Sequence, residues 1–164
     1  MQELATDPRT VFLGYNVLYG SRAYGTLTGV PKEMCLETPV AENLMAGLAM
    51  GLALTGSRPV LFYERHDFVL NALDAIVNHL DKLEELSRGQ FKAPVIIRAT
   101  VGGTMPLHPG PQHIQDFTEA FRAMLKFPVL DLRSAAEVTA AYQQARQLDS
   151  PILLVERRDL YDGE

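Results

Sequence analysis

Six short apolar runs, most of them separated by enough chain for a helix, constrain this sequence more than any other feature. They cover residues 10–14, 34–37, 59–63, 94–99, 128–132 and 151–156. Each is almost continuously hydrophobic and rich in Val, Ile and Leu, which is the pattern of strands covered on both faces. Helical patterns fall between them, near residues 39–55, 67–87, 114–125 and 134–148. In the second of these, Phe68, Leu70, Leu73, Ile76, Val77, Leu80 and Leu83 trace one apolar face, and Asp81, Lys82, Glu84 and Glu85 mark the wet side. Parallel strands need long crossovers, and helical crossovers cover a sheet on both sides. The expectation is therefore an α/β fold. It predicts a single three-layer domain over residues 1–164, with a mostly parallel sheet of about six strands and helices on both faces. A chain of 164 residues suits one such core.

Composition removes several classes of function. At 47% hydrophobic and 21% charged, the chain is ordinarily globular. A net charge of −5 argues against nucleic acid as a partner, since that role needs a basic stripe. No apolar run reaches the roughly 18 residues of a membrane span. Met1-Gln2-Glu3-Leu4 lacks the basic and apolar regions of a secretory signal, so a cytoplasmic location is expected. The lone Cys35 excludes an internal disulfide and a cysteine-rich zinc site, and its place in an apolar run predicts a small core residue.

Chemistry concentrates around Leu36-Glu37-Thr38-Pro39-Val40-Ala41-Glu42. Thr38 suits a helix N-cap and Pro39 the first helical position. That places Glu42 in the first turn of a helix whose residues 43–54 carry almost nothing polar, so the helix is expected to be enclosed on nearly all sides. A carboxylate there is either a residue paired with the helix dipole or a catalytic acid. Two further segments lack periodicity. Residues 15–33 hold three glycines and three tyrosines, and residues 100–113 are rich in Gly and Pro and hold His108 and His113. Both follow strands, and ligands of parallel sheets bind beyond the strands' carboxyl ends.

The run from Glu37 to Glu42, continued by Gly47, Gly51 and Leu54-Thr55-Gly56-Ser57-Arg58-Pro59-Val60, resembles the pyrimidine-binding domain of thiamine-diphosphate enzymes. So do Asp67-Phe68, Leu73-Asp74-Ala75-Ile76-Val77-Asn78, Ser87-Arg88-Gly89-Gln90, His113-Ile114-Gln115 and Pro151-Ile152-Leu153-Leu154-Val155-Glu156. The beta subunits of 2-oxo acid dehydrogenase decarboxylase components are the nearer likeness, and transketolases the further one. The resemblance covers roughly residues 7–161. It implies that Glu42 hydrogen-bonds the aminopyrimidine ring of thiamine diphosphate and shares a proton with it. Burial of a carboxyl beside apolar neighbours such as Leu44, Met45 and Leu48 favours such sharing. It implies that Phe68 stacks on that ring, although the same side chain also suits simple core filling. It implies that His113 and Gln115 face the substrate, with His113 also a catalytic candidate that could shuttle a proton, and with His66 and His108 as weaker substrate-binding candidates; each histidine also suits an ordinary solvated loop. It implies that the helix with Gly47 and Gly51 packs across a subunit interface, with internal packing as the alternative.

The sequence departs from that family in two places. Where the beta subunits carry an acidic pair after the first strand, this chain reads Tyr15-Asn16, so these two residues are expected to line an altered cofactor pocket. The second departure is at the end of the chain, which stops at Glu164 where those subunits continue into a further domain. No Gly-Asp-Gly … Asn signature is present either, which implies that a separate alpha-like subunit holds the diphosphate through Mg2+, in a heterotetramer. The expected activity is decarboxylation of a 2-oxo acid, or cleavage of a ketol, with transfer of the acyl or hydroxyalkyl unit. The histidine spacing fits no familiar metal site in this chain. Two other readings remain: a catalytically degenerate scaffold or regulator of a thiamine enzyme, and a generic nucleotide-binding domain.

Overall fold

The computed structural model describes residues 1–104 and 108–161. Its six strands are β1 (Thr10–Gly14), β2 (Cys35–Glu37), β3 (Arg58–Tyr63), β4 (Ile96–Val101), β5 (Val129–Leu132) and β6 (Ile152–Arg157). They form one sheet in the order β2-β1-β3-β4-β6-β5, and every pairing is parallel. The predicted α/β class and strand count hold, and each strand edge lies within two residues of its expected position.

The crossovers carry α1 (Glu42–Leu54), α2 (His66–Val69), α3 (Leu83–Leu86), α4 (Thr118–Met124) and α5 (Ala135–Ala145). One face of the sheet packs Leu13, Leu61, Ile97 and Leu153 against Met45, Ala49, Ile76, Leu80 and Phe121 from the helical layer. On the other face Phe12, Val60, Phe62 and Leu154 pack on Ala141 and Tyr142 of α5. That face is completed by Val17, Ala23, Leu27 and Val30 from residues 15–33. The non-periodic segment thus does the covering work of a helix, using turns and left-handed backbone at Asn16, Arg22, Ala23 and Tyr24.

Four expectations need correction. First, Thr38 does not cap α1. Its amide donates to the Gly14 carbonyl at 2.9 Å, prolonging the strand pairing, so the chain turns through Pro39 and the helix begins at Glu42 behind an uncapped Ala41. Second, α1 is not enclosed. Leu44 is 57% exposed, and Leu48, Gly51 and Leu54 lie on the same open side. Third, Cys35 is only partly buried, because β2 is the sheet's edge strand. Fourth, the helix expected over residues 67–87 is broken into α2, a 3-10 turn at Leu70–Ala72, a wide π-type stretch at Asp74–Leu80, and α3. There the Asn43 side chain accepts the Ala75 amide at 3.1 Å, in place of a backbone carbonyl. Such insertions are a recognised cause of altered helical winding. The apolar face survives the change, except that Leu70 is 38% exposed.

Candidate functional site

After β1 the chain crosses to β2 on one side, and after β3 it crosses to β4 on the other. The carboxyl ends of β1 and β3 therefore open a crevice at a switch point of the sheet, the usual ligand position in this architecture. Gly14 ends β1 there because the strands close tightly, and a Cβ at this position would come within 2.8 Å of the Phe62 carbonyl oxygen. Asn16 follows with φ of 57°, a left-handed conformation that Asn tolerates better than most residues.

Two carboxylates that the sequence did not single out hold this turn. Glu37 accepts the amides of Asn16, Val17 and Leu18 at 2.6, 3.0 and 2.7 Å, so the concave backbone at the end of β1 is filled by a side chain from β2. Glu64, just past β3, accepts from the Asn16 side-chain amide at 2.8 Å. Its backbone carbonyl accepts from Thr100 Oγ1 and, at 3.3 Å, from the Tyr24 hydroxyl. Nothing local in the sequence marks Glu64; its position directly after an apolar run is the only signal.

Glu42 stands at the head of α1 and is 8% exposed. Its backbone carbonyl accepts the Tyr63 hydroxyl at 2.9 Å, which ties α1 to β3. Its carboxylate accepts no hydrogen bond among the described residues. Beside it lies the buried Tyr15 hydroxyl, which has no side-chain hydrogen-bond partner among the described residues. Burial pushes the Tyr15 phenol well above its ordinary range, and the Glu64 and Glu42 carboxylates push it further. Burial, reinforced by Glu42, does the same to Tyr63. Both phenols thus remain neutral donors across the working pH range, and the Thr38 hydroxyl is also buried without a partner among the described residues.

The second group of predicted residues comes together around α2. The Phe68 and His113 rings meet edge to face, 5.2 Å apart at 88°. Gln115 donates to Asp67 at 2.8 Å, leaving the other Asp67 oxygen buried and unpaired among the described residues. The Nδ1 atom of His113 is likewise buried and unpaired among the described residues. Phe68 also packs on the main core, so it is at once a core residue and a ring beside the crevice.

Two histidines lie elsewhere. His66 is wholly enclosed, with Nδ1 accepting the Phe117 amide at 3.2 Å and its ring 4.9 Å from Phe121. It therefore supports the site from below and has no surface to offer a substrate. Burial lowers its pKa to about 4. His108 is exposed and accepts the Gly110 amide at 3.1 Å, within its own turn.

The pyrimidine-binding domain model of transketolase matches residues 1–164. The pyruvate dehydrogenase E1 component subunit beta of Rickettsia felis is 29% identical over 165 residues, covering 98% of this chain and 50% of the relative. The mitochondrial subunit beta of Ascaris suum is 27% identical, covering 98% and 45%. The chain thus spans about half the length of the curated relatives it matches. Among solved structures, a split-gene transketolase described as an inactive beta4 tetramer superposes with a TM-score of 0.72 at 21% identity, over 95% of this chain and 48% of that one. A thiamine diphosphate-dependent 4-hydroxybenzoylformate decarboxylase from Rhodococcus jostii does so at 0.67 and 18%, over 96% and 29%. The architecture, the switch-point crevice and the full-length match agree, and the chain belongs to the transketolase pyrimidine-binding domain family.

Proposed function

We propose that this chain is the pyrimidine-binding part of a thiamine-diphosphate-dependent enzyme that decarboxylates a 2-oxo acid or cleaves a ketol and transfers the resulting unit. The observation that carries the reading is Glu42, a largely buried residue whose carboxylate oxygens still reach the surface and accept nothing among the described residues. A carboxylate on a largely buried residue that leaves its oxygens open and unpaired suits a ligand that brings its own donor. Thiamine diphosphate would supply the electron sink for carbon–carbon cleavage when bound. Glu42 would hold and return a proton at the ring nitrogen of the pyrimidine. Tyr15 and Thr38 would offer hydrogen bonds beside it, and Phe68 an aromatic surface. His113 would meet the substrate, with Gln115 fixed in place by Asp67.

On this reading the diphosphate and its Mg2+ belong to a separate alpha-like subunit. The relatives, a subunit beta and a split-gene transketolase, support that division of labour. The open side of α1, with Gly47, Leu48 and Gly51, is the proposed surface for self-association. The alternative of a degenerate scaffold loses ground at Asn16, because Glu64 reaches back to it and keeps a carboxylate at a turn without acids of its own.

The test is Glu42→Gln in the complex reconstituted with its diphosphate-binding partner. Turnover should fall by about 10²- to 10⁴-fold, the usual contribution of a positioned proton-transfer group, with the unfolding midpoint little changed. Near-normal turnover in the variant would favour the scaffold.

A further inference from the structure

The motif left unexplained is Gly102-Gly103, together with the arginine it lies against. Arg65 follows Glu64 at the end of β3 and immediately precedes α2, which places it on the rim of the crevice that also carries Phe68. It is half-buried. Its Nη1 donates to the Gly102 carbonyl at 2.6 Å, and its guanidinium lies 5.7 Å from the centre of the Tyr24 ring. Tyr24 is itself fixed by its hydroxyl on the Glu64 carbonyl.

The other rim and core arginines are engaged, although Arg98 keeps its Nη1 buried without a partner among the described residues. Arg98 pairs with Glu156, Arg157 with Asp116 and Asp131, and Arg22 donates to the Val17 and Val30 carbonyls. No carboxylate among the described residues lies within ion-pair distance of Arg65. Gly102 and Gly103 adopt φ of 81° and 78°, and a Cβ on Gly103 would come within 2.4 Å of Arg158 Cγ and 3.4 Å of Arg65 Nη1. The paired glycines therefore let the backbone leaving β4 lie close to Asp159 at Gly102 and to Arg158 and Arg65 at Gly103, where the Asp159 carboxylate accepts the Gly103 amide at 2.7 Å.

A guanidinium has five N–H donors and stays charged at any working pH. Partial burial strips water from it, and only an anion compensates fully for that loss. A ring beneath it and a carbonyl at one corner orient the fork, so little ordering remains to be done on binding. We infer that Arg65 recognises the anionic oxygens of the substrate, which are the carboxylate of a 2-oxo acid or the phosphate of a phosphorylated sugar. The inference rests on the preceding reading that a small substrate reacts at this crevice. It assigns the recognition of charge to a residue outside the family-like motifs.

The full chain, labelled with 15N-arginine, should be titrated with pyruvate in one arm and inorganic phosphate in the other, against sodium chloride at equal ionic strength. The Arg65 Nε–H resonance is identified by its loss in Arg65→Gln. It should shift saturably with one of the two anions while the Arg22 resonance stays still. Saturation by pyruvate alone assigns a 2-oxo acid, and saturation by phosphate alone a phosphorylated sugar. In Arg65→Lys, followed through tryptophan-free tyrosine fluorescence, the charge remains but the fork is lost. Its affinity should drop about tenfold or more, with the unfolding midpoint unchanged. An Arg65 resonance that moves no further with either anion than with chloride overturns the inference. The titration needs neither cofactor nor partner, so a failed Glu42 test leaves it readable, and a silent Arg65 leaves the role of Glu42 standing.

Discussion

His66 shows how one buried side chain sets a pH dependence. The native pocket holds its imidazole neutral with a pKa of about 4, mainly through burial, against an ordinary value of 6.5. The unfolded chain therefore takes up a proton that the native protein refuses between these two values. Stability should be full above about pH 6.5 and fall as the pH drops toward 4, by up to about 3 kcal/mol from this residue. Asp116 acts lower on the scale. Hydrogen bonds from Thr118 and Arg157 outweigh its burial and hold its carboxyl near 2, so its contribution is lost only as the pH falls from about 4 toward 2. Urea midpoints measured between pH 7 and pH 4 should decline in the parent protein and stay flatter in His66→Gln. Equal slopes in both would mean that the buried imidazole is not the source. The sequence marks His66 only as a histidine near Phe68. Whether it meets substrate or core depends on Phe117 and Phe121, some fifty residues away.

On α1, the apolar pattern was readable, but its partner was not. A helix with almost no polar residues reads as one enclosed by its own domain, yet Leu44, Leu48 and Leu54 face outward. A Cβ added at Gly47 or Gly51 meets nothing within 4 Å in the isolated chain. Each glycine-to-alanine change should therefore stabilise the isolated chain by about 1 kcal/mol, because glycine is a poor helix former. If the face packs against another chain, the same methyl groups should weaken association, and Leu48→Glu should abolish it. Chemical denaturation and analytical ultracentrifugation read the two effects separately, and unchanged association in all three variants would exclude this face as the contact. The broken helical segment after β3 makes a similar point. Its apolar stripe is legible from spacing alone, whereas its winding depends on the Asn43 side chain from α1.

At the scale of the whole molecule, the largest fully buried side chain among the described residues is a charged one, Arg98 of β4. It pairs with Glu156 of β6 at 3.1 Å, and Tyr142 of α5 and Tyr161 donate to the same carboxylate. Arg98 also lies 5.2 Å from the centre of the Phe62 ring, so the network ties β3, β4, β6 and α5 beneath the second core. Removing one partner strands a buried charge. Arg98→Met or Glu156→Gln should cost about 3–5 kcal/mol in urea unfolding, while Arg98→Met combined with Glu156→Leu should recover much of it. A double variant as unstable as the sum of the singles would mean that the pair acts through something other than stranded charge.

By itself the sequence determined the class, the strand count, the parallel sheet and Glu42 at a helix start, because period and length are local properties of a chain. Only the tertiary structure decided that Glu37 and Glu64 close on the turn after β1, that Thr38 continues a strand instead of capping a helix, and that His66 is core while His113 meets Phe68. Each of these depends on which distant strands lie side by side, and that order is set by packing the whole chain at once.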